Sequence, residues 1–280
     1  MRIAVLPLIV AAAAAGPAAA SEAVLDLLHF DGFETATPGA FRLGALMLRD
    51  PHVFVPVPLG PVTLCTDATD LADVGLNAQI AASLAADADA NGRYDTNPLL
   101  LFEPLRGDGL PGHVSDRSGD CSVAPPLQCV PAAASAPPRA YRRFALAGSD
   151  HCLEPLAGTT STWTSGAPVP QPGGSCYATT AADLVLNTGA VAIPLFDTRF
   201  GAPLPATSGS TGGGLLRGFL RASDAAVITV PVNGANMSLA SLLPGGTGSC
   251  RANLPGGVDS WNGESGWWFY FEYRQDAASL

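Results

Sequence analysis

Lysine is absent from the 280-residue sequence, so all 14 basic residues are arginine. Charge of either sign is scarce, at 14% of positions, and the balance is acidic, with a net charge of −10. No basic cluster occurs, which argues against a nucleic-acid binder, because phosphate affinity rests on grouped Lys and Arg. Beyond the first 20 residues no stretch reaches the ~18 consecutive apolar residues of a membrane-spanning helix. No C-x-x-C pair is present, so structural zinc and dithiol redox chemistry have no support. In contrast, 31 Gly and 25 Pro argue against a helical bundle, since both residues break helix interiors. A hydrophobic fraction of 48% argues against wholesale disorder.

The first 20 residues have the form of an export signal. Met1-Arg2 is a short positive start, residues 3–15 are apolar, and small residues lead to Ser21. Ala18 and Ala20 satisfy the small-x-small rule for cleavage. Residues 1–20 are therefore expected to be a signal peptide, and 21–280 a single β-rich domain that is secreted or periplasmic. Six cysteines, Cys65, Cys121, Cys129, Cys152, Cys176 and Cys250, all lie in that domain. An even number in an exported chain predicts three disulfides, with connectivity open. Cys121 and Cys129 bracket a short stiff loop that a local bridge would close. Cys152 with Cys176, and Cys65 with Cys250, would complete one pairing, but spacing favours only Cys121 with Cys129.

Alternation of apolar and polar residues dominates the chain. Residues 74–86 carry apolar side chains at every even position, which predicts a long strand with one buried face. Residues 99–102 form a second strand, with 87–97 as the polar tip of a hairpin between them. Another hairpin is expected to turn at Asn187-Thr188-Gly189. Residues 46–57, 215–220, 225–230 and 267–273 read as further apolar segments, and the Gly/Ser-rich 208–214 as a loop. Residues 238–243 could form one short helical turn. Residues 107–172 hold three of the six cysteines and several Pro pairs, with a strand expected only at 141–147. The expected fold class is all-β: an antiparallel β-sandwich or two packed sheets, with a long disulfide-held loop insertion at about 107–172.

One motif carries chemistry. Residues 87–95 read Asp-Ala-Asp-Ala-Asn-Gly-Arg-Tyr-Asp and place oxygen side chains at loop positions 1, 3, 5 and 9, with Gly at position 6. Ca²⁺ takes six to eight oxygens at about 2.3–2.6 Å, and alternate residues of a tight turn can aim carboxylates at one centre. The nonapeptide resembles the calcium loop of EF-hand, dockerin and thrombospondin type 3 proteins. The resemblance implies a Ca²⁺ ligand set of Asp87, Asp89, Asn91, Arg93 (through its carbonyl) and Asp95, with a structural role. It departs at position 12, where Pro98 replaces the bidentate Glu of the EF-hand. Asp67, Asp70 and Asp73 would complete the shell if the chain folds back. The competing reading is a plain hairpin turn, for which Asn91-Gly92 is a strong signal.

Other patterns are weaker. Arg106-Gly107-Asp108 matches an integrin-binding tripeptide, and Asp108, His113, Asp116 and Asp120 form a loose acidic group with one His, which reads as a solvated loop. Trp261 and residues 267–273 concentrate the aromatics. On a strand, Trp267, Phe269, Phe271 and Tyr273 share one face and read as core, while Trp268 and Tyr270 share the other. Exposed, the second pair could stack on sugar rings. No catalytic residue is assigned: Ser149, Asp150 and His151 are adjacent and cannot meet as a triad, and no G-x-S-x-G or H-E-x-x-H occurs. Glu264 and Glu272, with Asp259, are the carboxylates among the Trp residues that a polysaccharide hydrolase could pair at about 5–10 Å.

Phe30-Asp31-Gly32-Phe33-Glu34, the Asp/Asn loop and the Gly-Trp-Trp-Phe-Tyr-Phe ending together resemble a class of bacterial secreted proteins carrying a calcium-type loop. That resemblance implies export and transfers no activity. The reading is a calcium-stabilised binding or structural protein of the cell surface or extracellular space. Its partner would be a glycan or surface polymer, with extracellular hydrolysis of polysaccharide as the alternative.

Overall fold

In the computed structural model, the described residues are 39–103, 111–145, 152–160, 175–189, 191–203, 210–232, 235–248, 250 and 257–280. All of them belong to one compact unit, Thr37–Leu280. The signal-peptide expectation, Phe30 to Glu34, Arg106 to Asp108 and Ser149 to His151 lie outside the described residues.

The first half of the chain contributes β1 (Gly39–Asp50), β2 (Phe54–Leu59), β3 (Val62–Asp67) and the helix α1 (Leu76–Leu84). It continues with β4 (Arg93–Tyr94), β5 (Pro98–Glu103), β6 (Gly112–Ser122), β7 (Cys129–Pro131) and β8 (Arg139–Ala145). The second half adds β9 (Ser175–Thr179), β10 (Ala182–Asn187), β11 (Ala192–Pro203), β12 (Ser210–Arg221) and the helix α2 (Ala222–Val227). It ends with β13 (Thr229–Val232), β14 (Ala235–Ser238), the one-turn helix α3 (Leu239–Leu242), β15 (Asp259–Trp261) and β16 (Glu264–Ala278).

The all-β, antiparallel expectation holds. The main sheet runs β1-β5-β6-β8-β9-β11-β12-β16, and β16 pairs again with β1. These eight strands therefore close on themselves, and the walls that pack face to face belong to one continuous sheet. Closure removes the unpaired edges that a sheet of this size would otherwise expose. Antiparallel register runs from Ala40 opposite Ala278 to Asp50 opposite Tyr270 along the closing pair.

The alternation of β16 decides what lies inside. Trp267, Phe269, Phe271 and Tyr273 join the main core with Phe41, Phe102, Tyr141, Tyr177 and Phe200, as expected for the first aromatic set. Phe102 meets Phe41, Tyr141 and Tyr177 edge-on, at ring separations of 5.0 to 5.7 Å. Within this aromatic interior Tyr273 donates to the Tyr177 oxygen at 2.8 Å, and Tyr177 donates to Gln275 Oε1 at 3.0 Å. Burial pushes both phenols far up, so they act as neutral donors. Charged side chains such as Arg49, Glu272 and Arg142 occupy the opposite face, the reverse of a lipid-embedded barrel. No helix among the described residues is long and apolar enough to cross a membrane.

Three expectations about elements are corrected. Residues 74–86 do not form a strand; they contain α1. Leu76, Ile80 and Leu84 recur every four residues and are buried, whereas Ala82, which a strand face would bury, is exposed. The 87–97 segment consequently joins a helix to β5 and is not a hairpin tip. The Gly/Ser-rich stretch is no loop where it is described: residues 210–214 open β12 and pair with β16. Residues 107–172 carry strands β6 and β8 of the main sheet as well as β7, beside the disulfide-linked cysteines. The polar sequence of β6 hid it, because Asp116 and Ser118 share the inward face with Val114. The hairpin at Asn187-Thr188-Gly189 is present, with Leu186 opposite Ile193. At the 238–243 turn, the Ser238 side chain makes no cap hydrogen bond.

All six cysteines are paired: Cys121 with Cys129, Cys152 with Cys176, and Cys65 with Cys250. The last links positions 185 residues apart.

Candidate functional site

The 87–95 segment folds as a closed ring whose carboxylates turn inward onto its own backbone. Asp87 Oδ1 accepts from the Asn91 N–H and Oδ2 from the Gly92 N–H, both at 3.0 Å. Asp89 accepts from the Asn91 N–H at 3.2 Å and from its side-chain amide at 2.8 Å. Asn91 Oδ1 accepts from the Arg93 N–H at 2.8 Å, and Asp95 Oδ2 from the Ala88 N–H at 3.0 Å. Gly92 sits at φ +81°, a conformation that disfavours any side chain, and Ala90 also has positive φ. The ring is anchored to the sheet where β4 pairs with β6 and the Val123 N–H donates to the Gly92 carbonyl.

Asp87, Asp89, Asn91, Arg93 and Asp95 are thus brought into one loop. The donors are all oxygen, the type a hard cation such as Ca²⁺ takes. Their carboxylates are occupied by backbone amides, and no group of three His, Cys, Asp or Glu that could hold a metal occurs among the described residues. Asp67, Asp70 and Asp73 do not complete the shell. They precede α1 while the ring follows it, and nine helical residues separate the two ends by about 13 Å. Asp67 instead pairs with His52 Nδ1, and Asp70 Oδ1 accepts from Asn77 Nδ2 at 2.7 Å.

Beyond Asp95 the chain lines a cleft of about 600 Å³. Thr96 and Asn97 form one side, Asp116 to Gly119 of β6 another, and Asp183 to Asn187 of β10 the third. Leu43, Leu100, Leu195 and Phe200 give it an apolar floor. Two arginines that sequence reasoning passed over hold this arrangement. Arg139, 4% exposed, donates to Asp116 Oδ1 at 2.9 Å, to the Thr198 and Ala182 carbonyls at 2.7 and 3.2 Å, and to the Asp183 carbonyl at 3.2 Å. One guanidinium thereby ties β6, β10 and β11 together beneath the cleft, using the fan of donors only Arg supplies. Arg42, equally buried, donates from Nε to Asn97 Oδ1 at 2.8 Å and from Nη2 to the Leu84 and Thr96 carbonyls. Its guanidinium lies 3.8 Å above the Tyr94 ring, and burial lowers its pKa. It fastens both the end of α1 and the segment after the ring to the outer wall. Isolated arginines carry no motif, which is why neither stood out.

The other candidates separate. Asp116 is taken by Arg139, Asp120 forms an ion pair with Arg93 at 3.1 Å, and His113 is exposed on β6, so no site forms among them. Trp268 and Tyr270 are buried, 3% and 0% exposed, beneath Leu153, Leu156 and Trp261, which removes the sugar-stacking platform. Glu272 pairs with Arg49, and Glu264 is exposed eight residues away on the same strand, about 26 Å by strand rise. They do not form the close pair a glycosidase needs. Burial raises the Asp259 carboxyl above its usual pKa, although it accepts from the Trp268 N–H at 3.0 Å.

No family model, curated protein or solved structure matches this chain.

Proposed function

We propose that the protein is an exported binding protein whose 87–95 loop takes Ca²⁺ and, when loaded, fixes the rim of the adjoining cleft, where a neutral glycan binds. The observation that carries this reading is continuity: Asp95 closes the oxygen-rich ring and also lines the cleft. Three carboxylates within nine residues repel one another, and Arg93 is engaged by Asp120, so a divalent cation would relieve the repulsion. The cleft suits a hydroxylated, uncharged ligand. Its rim offers Asp95, Asp183 and Asn187 as hydrogen-bonding groups, and its floor is apolar. Three disulfides support export, since such bonds persist in oxidising compartments.

A glycan array probed with the full mature chain, in Ca²⁺ and in EGTA, tests the proposal. Binding that needs Ca²⁺, weakens at least ~10-fold in Asp89→Ala and releases no reducing sugar is the expected result. Binding indifferent to EGTA would overturn the role of the loop, and sugar release would replace binding with hydrolysis.

A further inference from the structure

A different wall of the sheet presents arginines that form no ion pair among the described residues. Leu216 and Leu220 of β12 face the main core, so Arg217 and Arg221 share the outer face with Leu215 and Phe219. On β11 the register slips between Phe196 and Arg199, with Asp197 at φ +48°. Such a bulge re-aims the strand. It leaves Phe196 packed in the outer cluster and sets Arg199 directly opposite Arg217. Directly opposed like charges, with Cβ atoms about 4.5–5.5 Å apart, destabilise a sheet.

Five other arginines among the described residues are matched. Arg49, Arg93, Arg117, Arg139 and Arg274 each reach a carboxylate. Arg199, Arg217 and Arg221 form no ion pair among the described residues, and the Nε of each is shielded from solvent without a hydrogen-bond partner. Arg217 is 8% exposed and spends Nη1 on the Glu154 carbonyl at 2.7 Å. Asp197 acts on it only from beyond ion-pair distance, and burial followed by Arg199 lowers its pKa. Arg221 lies 3.8 Å over the Phe196 ring, which in turn stacks on Trp261.

We infer that the outer wall of β11 and β12 is a binding site for an oxyanion, seated between Arg199 and Arg217 and flanked by Arg221. A phosphate, sulfate or carboxylate group would satisfy the idle N–H donors and cancel the repulsion that the strand register imposes. Guanidinium groups match these planar or tetrahedral acceptors in pairs. In a protein of net charge −10 without lysine, such a concentration of uncompensated arginine is directional. The site lies on different strands from the 87–95 ring and does not depend on calcium.

The test is thermal unfolding of the full mature chain in a chloride buffer at constant ionic strength. Inorganic phosphate, sulfate and oligogalacturonate are titrated separately against wild type, Arg199→Gln and, as an exposed control, Arg142→Gln. At least one anion is expected to raise the wild-type midpoint saturably by ~3 °C or more. The rise should vanish in R199Q and persist in R142Q, while R221Q reduces it. Response to phosphate or sulfate identifies a free tetrahedral ion, and response to oligogalacturonate alone a carboxylated glycan. Without anion, R199Q should be at least as stable as wild type, because repulsion is gone. No saturable response to any anion, equal responses in wild type and R199Q, or an R199Q that is several degrees less stable or unfolded would overturn the site.

Discussion

Single side chains set both the interior hydrogen bonding and the pH response. His52 shows how. The hydrogen bond that the imidazole donates to Asp67 raises its pKa above the usual 6.5, against a smaller opposing effect of burial. Burial pushes the Asp67 carboxyl up, but the hydrogen bonds from His52 and Thr69 outweigh it and hold the group below its usual 3.8. A raised histidine stabilises the fold fully below about 6.5 and loses that contribution as pH rises through its higher folded value. A lowered carboxyl stabilises above about 3.8 and loses its contribution as pH falls through its lower folded value. Stability from this pair should therefore peak between about pH 4 and 6.5. Melting curves across pH 4 to 8 should show the wild-type midpoint falling on the alkaline side, and His52→Gln should flatten that fall. An unchanged slope in the variant would place the titrating group elsewhere. Their pairing was not legible beforehand, because 15 positions separate them and only the hairpin of β2 and β3 brings them together.

Elements were readable where packing left one face apolar and were misread where small residues blurred the period. The hairpin of β10 and β11 and the aromatic β16 followed directly from alternation. In α1, alanines between Leu76, Ile80 and Leu84 satisfy a period of two as well as one of four. Only the tertiary fit decides, with Ile80 fully buried and Ala82 exposed. The glycines of β12 misled for the opposite reason: they look like a breaker but make room. A Cβ on Gly214 would stand 2.4 Å from the Tyr273 ring, so glycine lets that ring lie flat against the strand. Gly214→Ala is predicted to cost about 1–3 kcal/mol by overpacking, measured by urea unfolding. A stability equal to wild type would show that the ring can move aside. The 87–95 ring was legible in composition and spacing, whereas its neighbours were not, since Arg42 and Arg139 act through contacts 23 to 59 residues distant in sequence.

At the scale of the whole molecule, closure of the sheet turns local features into a single object. The strand order brings β1 beside β16, and Cys65–Cys250 adds a covalent link over nearly the same span. Nothing in the periodicity of individual strands announces closure, because strand partners are chosen by long-range register. On this frame the acidic ring and the arginine wall occupy separate strands, so a cation at the first and an anion at the second would act independently. If the ring takes Ca²⁺, the cation should stabilise the barrel. Thermal unfolding of the wild-type chain in millimolar Ca²⁺ and in EGTA, beside Asp89→Ala, tests it most directly. A midpoint several degrees higher in Ca²⁺ for wild type, with no difference for the variant, is the predicted result. Identical wild-type midpoints in Ca²⁺ and EGTA would contradict it.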